Sequence, residues 1–77
     1  MTGKIILCIA GREKDRIMMV VGTAEDGFVL IADGKERKLN KPKRKKLKHL
    51  QFIGGTECVP KTDRELRAIL NNYLIHK

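Results

Sequence analysis

A run of nine residues, KPKRKKLKH from Lys41 to His49, concentrates side chains that bind anions. Seven basic groups in nine positions repel one another, so the run costs stability unless an anion lies against it. Binding to phosphates releases condensed counterions, and the pattern therefore favours a polyanionic partner over a merely solvated loop. The candidate contacts in this run are Lys41, Lys43, Arg44, Lys45, Lys46, Lys48 and His49.

The excess charge of the whole chain lies in one segment. The 77 residues include 17 Lys and Arg against 9 Asp and Glu, which gives a formal net charge of +8. Residues 35–49 contain nine Lys or Arg and one acid, Glu36, and so account for the entire excess. Lys35, Arg37 and Lys38 therefore join the run as candidate phosphate contacts.

Residue types that could support catalysis are scarce. The chain has no Ser, and His76 is the penultimate residue, where a general base is rarely held in place. Cys8 and Cys58 are predicted to be reduced, buried and hydrophobic in role, and with His49 and His76 they lack the close-spaced ligand pairs of zinc sites. We therefore predict a binding protein rather than an enzyme, with no metal, cofactor or small-molecule substrate.

Targeting and membrane signals are weak. The apolar runs at residues 5–10, 17–21 and 28–32 have five or six residues, whereas a transmembrane helix needs about 20. We expect a cytoplasmic protein without membrane association that is a monomer when free. The stretch PKRKK at residues 42–46 also matches nuclear localisation signals, but any lysine-rich binding loop produces that match by chance.

The elements that must position these residues are mostly strands. Aliphatic and β-branched runs are separated by the polar turn at residues 11–15 and by Asp-Gly pairs at 26–27 and 33–34, which suit tight hairpins. The predicted strands cover residues 4–10, 16–21, 28–32, 35–39 (a charged edge strand) and 50–59 (an irregular strand bent at Gly54-Gly55).

One helix closes the chain. Thr62 and Glu65 have the spacing of a capping box, and an apolar stripe follows at Leu66, Ile69, Leu70, Tyr73 and Leu74. Leu47 and Leu50 are spaced to anchor a short helical turn on the core. The pattern predicts a single, mainly β domain: a small curled antiparallel sheet in residues 1–60, with the basic loop at 40–49, and a helix in 61–77 that covers it.

The aromatic residues bear on how a nucleic acid would be recognised. Phe28, Phe52 and Tyr73 are predicted to lie in the core, and none is interleaved with the basic run. Base stacking is therefore not expected as the main binding mode. No long basic helix suits a DNA major groove, so the pattern favours structured RNA contacted through its backbone.

Two stretches resemble a known family. Lys4 to Val21, with the turn GREKDR, resembles a KOW motif, in which a glycine, here Gly11, permits the bend between two strands. The continuation GFVLIADGKERKLNKPKRKKLKHLQ, residues 27–51, is similar to short KOW proteins related to the L-fourteen-e type of large-subunit ribosomal protein, a subgroup with small bacterial RNA-binding members. The resemblance covers about residues 3–53 and implies an SH3-like barrel of about five short antiparallel strands.

The resemblance also implies a function. It indicates binding of structured RNA, above all ribosomal RNA, in a ribosomal or translation-related role with ribosomal subunit proteins as further partners. The turn would supply Arg12, Lys14 and Arg16. Asp15 stands where related sequences commonly have a second glycine, so it must take a positive φ or the turn must change shape. KOW domains of transcription elongation factors also bind proteins, so a protein-interaction module remains the alternative, and a DNA-binding architectural protein a third.

Overall fold

The computed structural model describes residues 2–57 and 59–75, which form one antiparallel sheet and one α-helix. The strands are β1 (Lys4–Cys8), β2 (Ile17–Thr23), β3 (Phe28–Ala32), β4 (Lys43–Lys46) and β5 (Leu50–Gly55), and the helix is α1 (Asp63–Ile75). The strand order is β4-β3-β2-β1-β5, with a single 3-10 turn, Leu47–His49, between the two outermost strands. The predicted fold class is confirmed: the protein is mainly β, consistent with a small SH3-like barrel.

Alternating side chains on the strands fill two apolar clusters. Ile5 and Ile6 are both fully buried, yet they belong to different clusters because successive side chains point to opposite faces. What we call the inner cluster consists of Ile6, Cys8, Met18, Val20, Val29, Ile31 and Leu50. The helix-side cluster consists of Ile5, Ile17, Met19, Ala32, Leu66 and Leu70. An apolar cluster therefore lies on each face of the sheet, and α1 covers part of the second face.

The helix forms as its sequence predicts. The Thr62 hydroxyl accepts a hydrogen bond from the Glu65 N–H at 3.1 Å, which satisfies a backbone donor of the first turn that has no partner within the helix. The same hydroxyl lies 3.3 Å from a Glu65 carboxylate oxygen. Leu66 and Leu70 enter the helix-side cluster, and Tyr73 packs against it. A Cβ at Gly54 would lie 2.5 Å from the Tyr73 ring, so the glycine permits this close packing.

The charged edge strand predicted at residues 35–39 is wrong. One carboxylate oxygen of Asp33 accepts hydrogen bonds from the N–H groups of Lys35 and Arg37, and Gly34 takes φ of 80°, so the chain closes into a compact loop. The Leu39 N–H then donates to Asp63 at the start of α1. The edge strand is β4, which lies inside the predicted basic loop.

Other boundaries moved by a few residues. The first strand ends at Cys8 rather than residue 10, because its partner β5 begins only at Leu50, after the 3-10 turn; the Ile9 N–H still donates to the carbonyl of His49 in that turn. The last strand stops at Gly55; Thr56, Glu57 and Val59 are not in a strand, and Cys58 lies outside the described residues. The second strand runs on to Thr23, with a shift of register between Val20 and Gly22.

Candidate nucleic-acid interface

Most of the basic run forms an edge strand and a 3-10 turn. β4 pairs with β3, with Lys45 opposite Val29 and Lys46 opposite Phe28. Lysines are well suited to an edge strand because their charge discourages pairing with another chain. As predicted, Leu50 enters the inner cluster and Leu47 packs against it. The exposed Lys48 and the half-buried His49 are therefore held on a turn with a fixed position.

Lys45 does not face solvent. It is 7% exposed, and its Nζ lies 3.2 Å from Oε1 of Glu13, which is itself 5% exposed. The second carboxylate oxygen, Oε2, lies 3.3 Å from Nη2 of Arg37. We therefore leave Lys45 out of the surface that could contact a ligand. The sequence alone indicates no role for Glu13, because carboxylates are rarely buried unless they are paired.

The environment of Glu13 favours its charged form. Burial alone would raise the pKa of the carboxyl, but the hydrogen bonds from Lys45 and Arg37, with the positive charge of Lys43 nearby, outweigh burial and lower it. The group is a carboxylate at neutral pH. Two cations are thus bound to one buried anion.

The turn at residues 11–15 packs directly on β4. Asp15 takes φ of 72°, the first of the two alternatives that the sequence left open, and its N–H donates to the Cys8 carbonyl at 2.7 Å. The ammonium of Lys45 lies so close to Gly11 that a Cβ there would collide with it. Arg12 and Lys14 flank Glu13 and are exposed. Glu13 therefore joins three segments: this turn, the loop that contains Arg37, and β4.

Several predicted contact residues are ion-paired within the protein. Arg16 lies 2.8 Å from Glu36 and 3.9 Å from Asp33, and the hydrogen bond with Glu36 raises the pKa of Arg16 and lowers that of Glu36. Arg44 pairs with Glu25. The remaining Lys and Arg residues among the predicted contacts are exposed or half-buried and form no ion pair within residues 2–57 and 59–75. They are here called the basic surface: Arg12, Lys14, Lys35, Lys38, Lys41, Lys43, Lys46 and Lys48.

The prediction that all three aromatic residues lie in the core is wrong. Phe52 is 47% exposed on β5. Phe28 is half-buried, and Cζ of Arg44 lies over its ring at 4.6 Å from the centroid. An aromatic side chain is therefore adjacent to the basic run in space, although the two are far apart in sequence. Only Tyr73 packs against a core cluster as expected.

Groups suited to catalysis or metal binding are few in the structure as described. Cys8 is buried as predicted, with Sγ 3.8 Å from the Met18 sulfur, and burial raises the pKa of its thiol. Within the described residues, no cluster of His, Cys, Asp or Glu has the composition to hold a metal ion. Cys58 and His76 lie outside the described residues. No α-helix in the part of the chain described has the length and hydrophobicity to cross a bilayer.

Comparison of the sequence with protein-family models and with curated proteins finds no match.

Proposed function

We propose that this protein binds structured RNA, above all ribosomal RNA, through phosphate contacts from the basic surface. One observation carries the proposal. The buried Glu13 pairs with Lys45 and Arg37 and thereby holds the 11–15 turn and the loop containing Arg37 beside β4, so basic residues distant in sequence lie on segments that contact one another. Preorganised cations lose less conformational entropy on binding than lysines of a flexible loop.

The charge balance supports a polyanion as the ligand. The eight residues of the basic surface have no acidic partner among the residues described, so their mutual repulsion falls when phosphates bind. Binding also releases counterions from the nucleic acid. The resemblance of residues 3–53 to small KOW proteins suggests that the polyanion is RNA and that the protein has a role in translation.

The helix supports RNA over duplex DNA. Proteins that read the DNA major groove usually insert a helix whose side chains reach the base edges. In the described structure the two basic residues of α1, Arg64 and Arg67, are offset by Asp63 and Glu65, and the apolar stripe of the helix packs against the sheet. The basic residues lie instead on an edge strand and on turns, which suit contacts with the backbone of a folded RNA.

The test compares two variants with equal loss of charge. Lys46→Ala/Lys48→Ala removes two cations of the basic surface, whereas Lys4→Ala/Lys61→Ala removes two exposed cations elsewhere. Lysates would be sedimented at low and high salt and the RNA crosslinked to each protein sequenced. We expect wild type and the control variant to travel with ribosomal subunits at low salt and to crosslink to discrete rRNA helices, and the first variant to lose both properties.

Binding by the purified proteins gives a second readout. Each phosphate contact contributes about 0.7 to 0.9 to the slope of log affinity against log salt, so Lys46→Ala/Lys48→Ala should lower the magnitude of that slope by about 1.5. If wild type stays at the top of the gradient and crosslinks to no discrete RNA, the proposal is wrong.

A protein-interaction module is the second candidate function, and one observation favours it. Phe52 and Ile53 are 47% and 38% exposed on β5, which is an edge strand of the sheet. Exposed apolar residues beside an open strand edge are typical of protein contacts. In that case the basic surface would face an acidic protein, and affinity for RNA would be weak and indifferent to RNA structure.

A further inference from the structure

The outer face of β3 and β4 carries a guanidinium on an aromatic ring. Cζ of Arg44 lies 4.6 Å from the centroid of Phe28, and Glu25 pairs with the same guanidinium. The Arg44 side chain is nevertheless 59% exposed. With the ring covering one side of the guanidinium and Glu25 bound to Nη1, the opposite side of the group faces solvent.

The backbone fixes these three residues relative to one another. Phe28 pairs with Lys46 across the strands, which makes Arg44, two residues earlier, its diagonal neighbour. A tight turn precedes β3, in which the Phe28 N–H donates to the Glu25 carbonyl at 2.9 Å and Gly27 takes φ of 82°. The Leu47 N–H in turn donates to the Gly27 carbonyl. Hydrogen bonds thus connect the turn between Glu25 and Phe28 to Leu47, the residue that follows β4.

We propose that Arg44, supported by Phe28 and oriented by Glu25, is a stacking platform for an unpaired RNA base. This inference rests on the proposed RNA binding and deepens it, because it names nucleotides of a loop or bulge as ligands beside the duplex backbone. A guanidinium is planar, delocalised and weakly hydrated, and bases of single-stranded RNA stack on it as they do on aromatic rings. Lys46 and Lys48 are exposed next to it and would contact the flanking phosphates.

The geometry suits stacking better than simple phosphate binding. An aromatic support would help a phosphate contact only by holding the cation in place, and pairing with Glu25 weakens the attraction of Arg44 for an anion. Pairing of Arg44 with Glu25 should weaken stacking of a base only slightly, because stacking depends on the planar face of the guanidinium rather than on its net charge. Since every base has a π-face, the platform would distinguish unpaired from paired nucleotides without reading base identity.

The experiment uses two RNA hairpins of identical charge. One has an all-adenine loop, and the other has the same loop with abasic nucleotides, so the ratio of their affinities reports contacts to bases alone. The affinities of the full chain would be measured by fluorescence anisotropy for wild type and for Arg44→Lys, which keeps the charge and loses the plane. Phe28→Leu removes the support, and Lys48→Ala is the control that removes a cation of the basic surface outside β3 and β4.

We expect wild type to bind the adenine loop about fivefold or more tightly than the abasic loop. Arg44→Lys and Phe28→Leu should bring that ratio close to one, whereas Lys48→Ala should weaken binding to both hairpins and leave the ratio unchanged. Melting curves check that each variant is folded; if Phe28→Leu is not, Arg44→Lys decides.

The two proposals fail in different ways. If wild type binds both hairpins equally, or if Arg44→Lys keeps the wild-type ratio, the platform is wrong while RNA binding stands. If wild type binds neither hairpin in a salt-dependent manner, RNA binding itself is wrong and the platform falls with it.

Discussion

Two ion pairs formed by neighbouring residues of β4 differ in how much of their side chains is exposed to solvent. Lys45 and Glu13 have side chains only 8% and 7% exposed, whereas Arg44 and Glu25 are 59% and 57% exposed. A strand points successive side chains to opposite faces, so adjacent basic residues receive opposite environments. The inward pair, Lys45 and Glu13, joins segments of the fold. Under our proposal the outward pair, Arg44 and Glu25, orients Arg44 towards an RNA base. Charge density in a sequence therefore does not separate structural cations from binding ones.

Loss of the inward pair should have the largest effect on stability. Glu13→Gln leaves the Lys45 ammonium buried without a counter-charge, and breaking a buried ion pair in this way typically costs about 3 to 5 kcal/mol. We expect urea unfolding to show a fall of this size in the free energy of unfolding. A small domain has little stability to lose, so the variant should be partly unfolded at room temperature.

A double variant tests whether the cause is the stranded charge. Glu13→Gln/Lys45→Met removes both charges and keeps an amide oxygen for Arg37. Neutral replacements of buried pairs are often tolerated, so its free energy of unfolding should lie within about 1 kcal/mol of wild type. If the double variant is as unstable as Glu13→Gln, Glu13 stabilises the turn through its shape and hydrogen bonds rather than through its charge. The difference between the inward and outward pairs would then not be electrostatic.

The inward pair also predicts a dependence of stability on pH. The pKa of Glu13 is lowered in the folded state, so the stability that it contributes is fully present above the unfolded value of about 4.3 and is lost as pH falls through the folded pKa. Urea midpoints measured between about pH 6 and 3 should therefore fall for wild type, and the gap between wild type and Glu13→Gln should narrow. A constant gap would contradict the lowered pKa.

How far the sequence predicts this molecule depends on the kind of signal. β3 and α1 were predicted almost to the residue, because apolar periodicity and a capping box are local properties. The strand at 35–39 failed because one side chain, Asp33, binds the backbone of its own loop. β4 was missed because KRKK has the composition of a loop, and only pairing with β3 makes it a strand.

The candidate site was predicted in part for the same reason. The basic surface follows from composition, since most of it lies in one segment. The burial of Lys45 does not, because it depends on a carboxylate 32 residues away. One signal was present: Glu13 is an acid between two basic residues, Arg12 and Lys14, which is unusual in a turn expected to contact RNA. Likewise Phe28 beside Arg44 requires the strand register, which hydropathy does not provide.

Loss of the outward pair, Arg44 and Glu25, should change the free energy of unfolding least. Glu25→Gln removes an acid that is more than half exposed, and exposed pairs contribute about 0 to 1 kcal/mol, so the free energy of unfolding should stay within about 0.5 kcal/mol of wild type. Its effect on binding should be more informative. With one negative charge fewer, affinity for an abasic hairpin should rise slightly, whereas the adenine loop should gain less because Arg44 is no longer oriented on Phe28. Anisotropy titrations of both hairpins measure this difference. An equal gain in affinity for both hairpins would mean that Glu25 only lowers the local positive charge and does not orient Arg44.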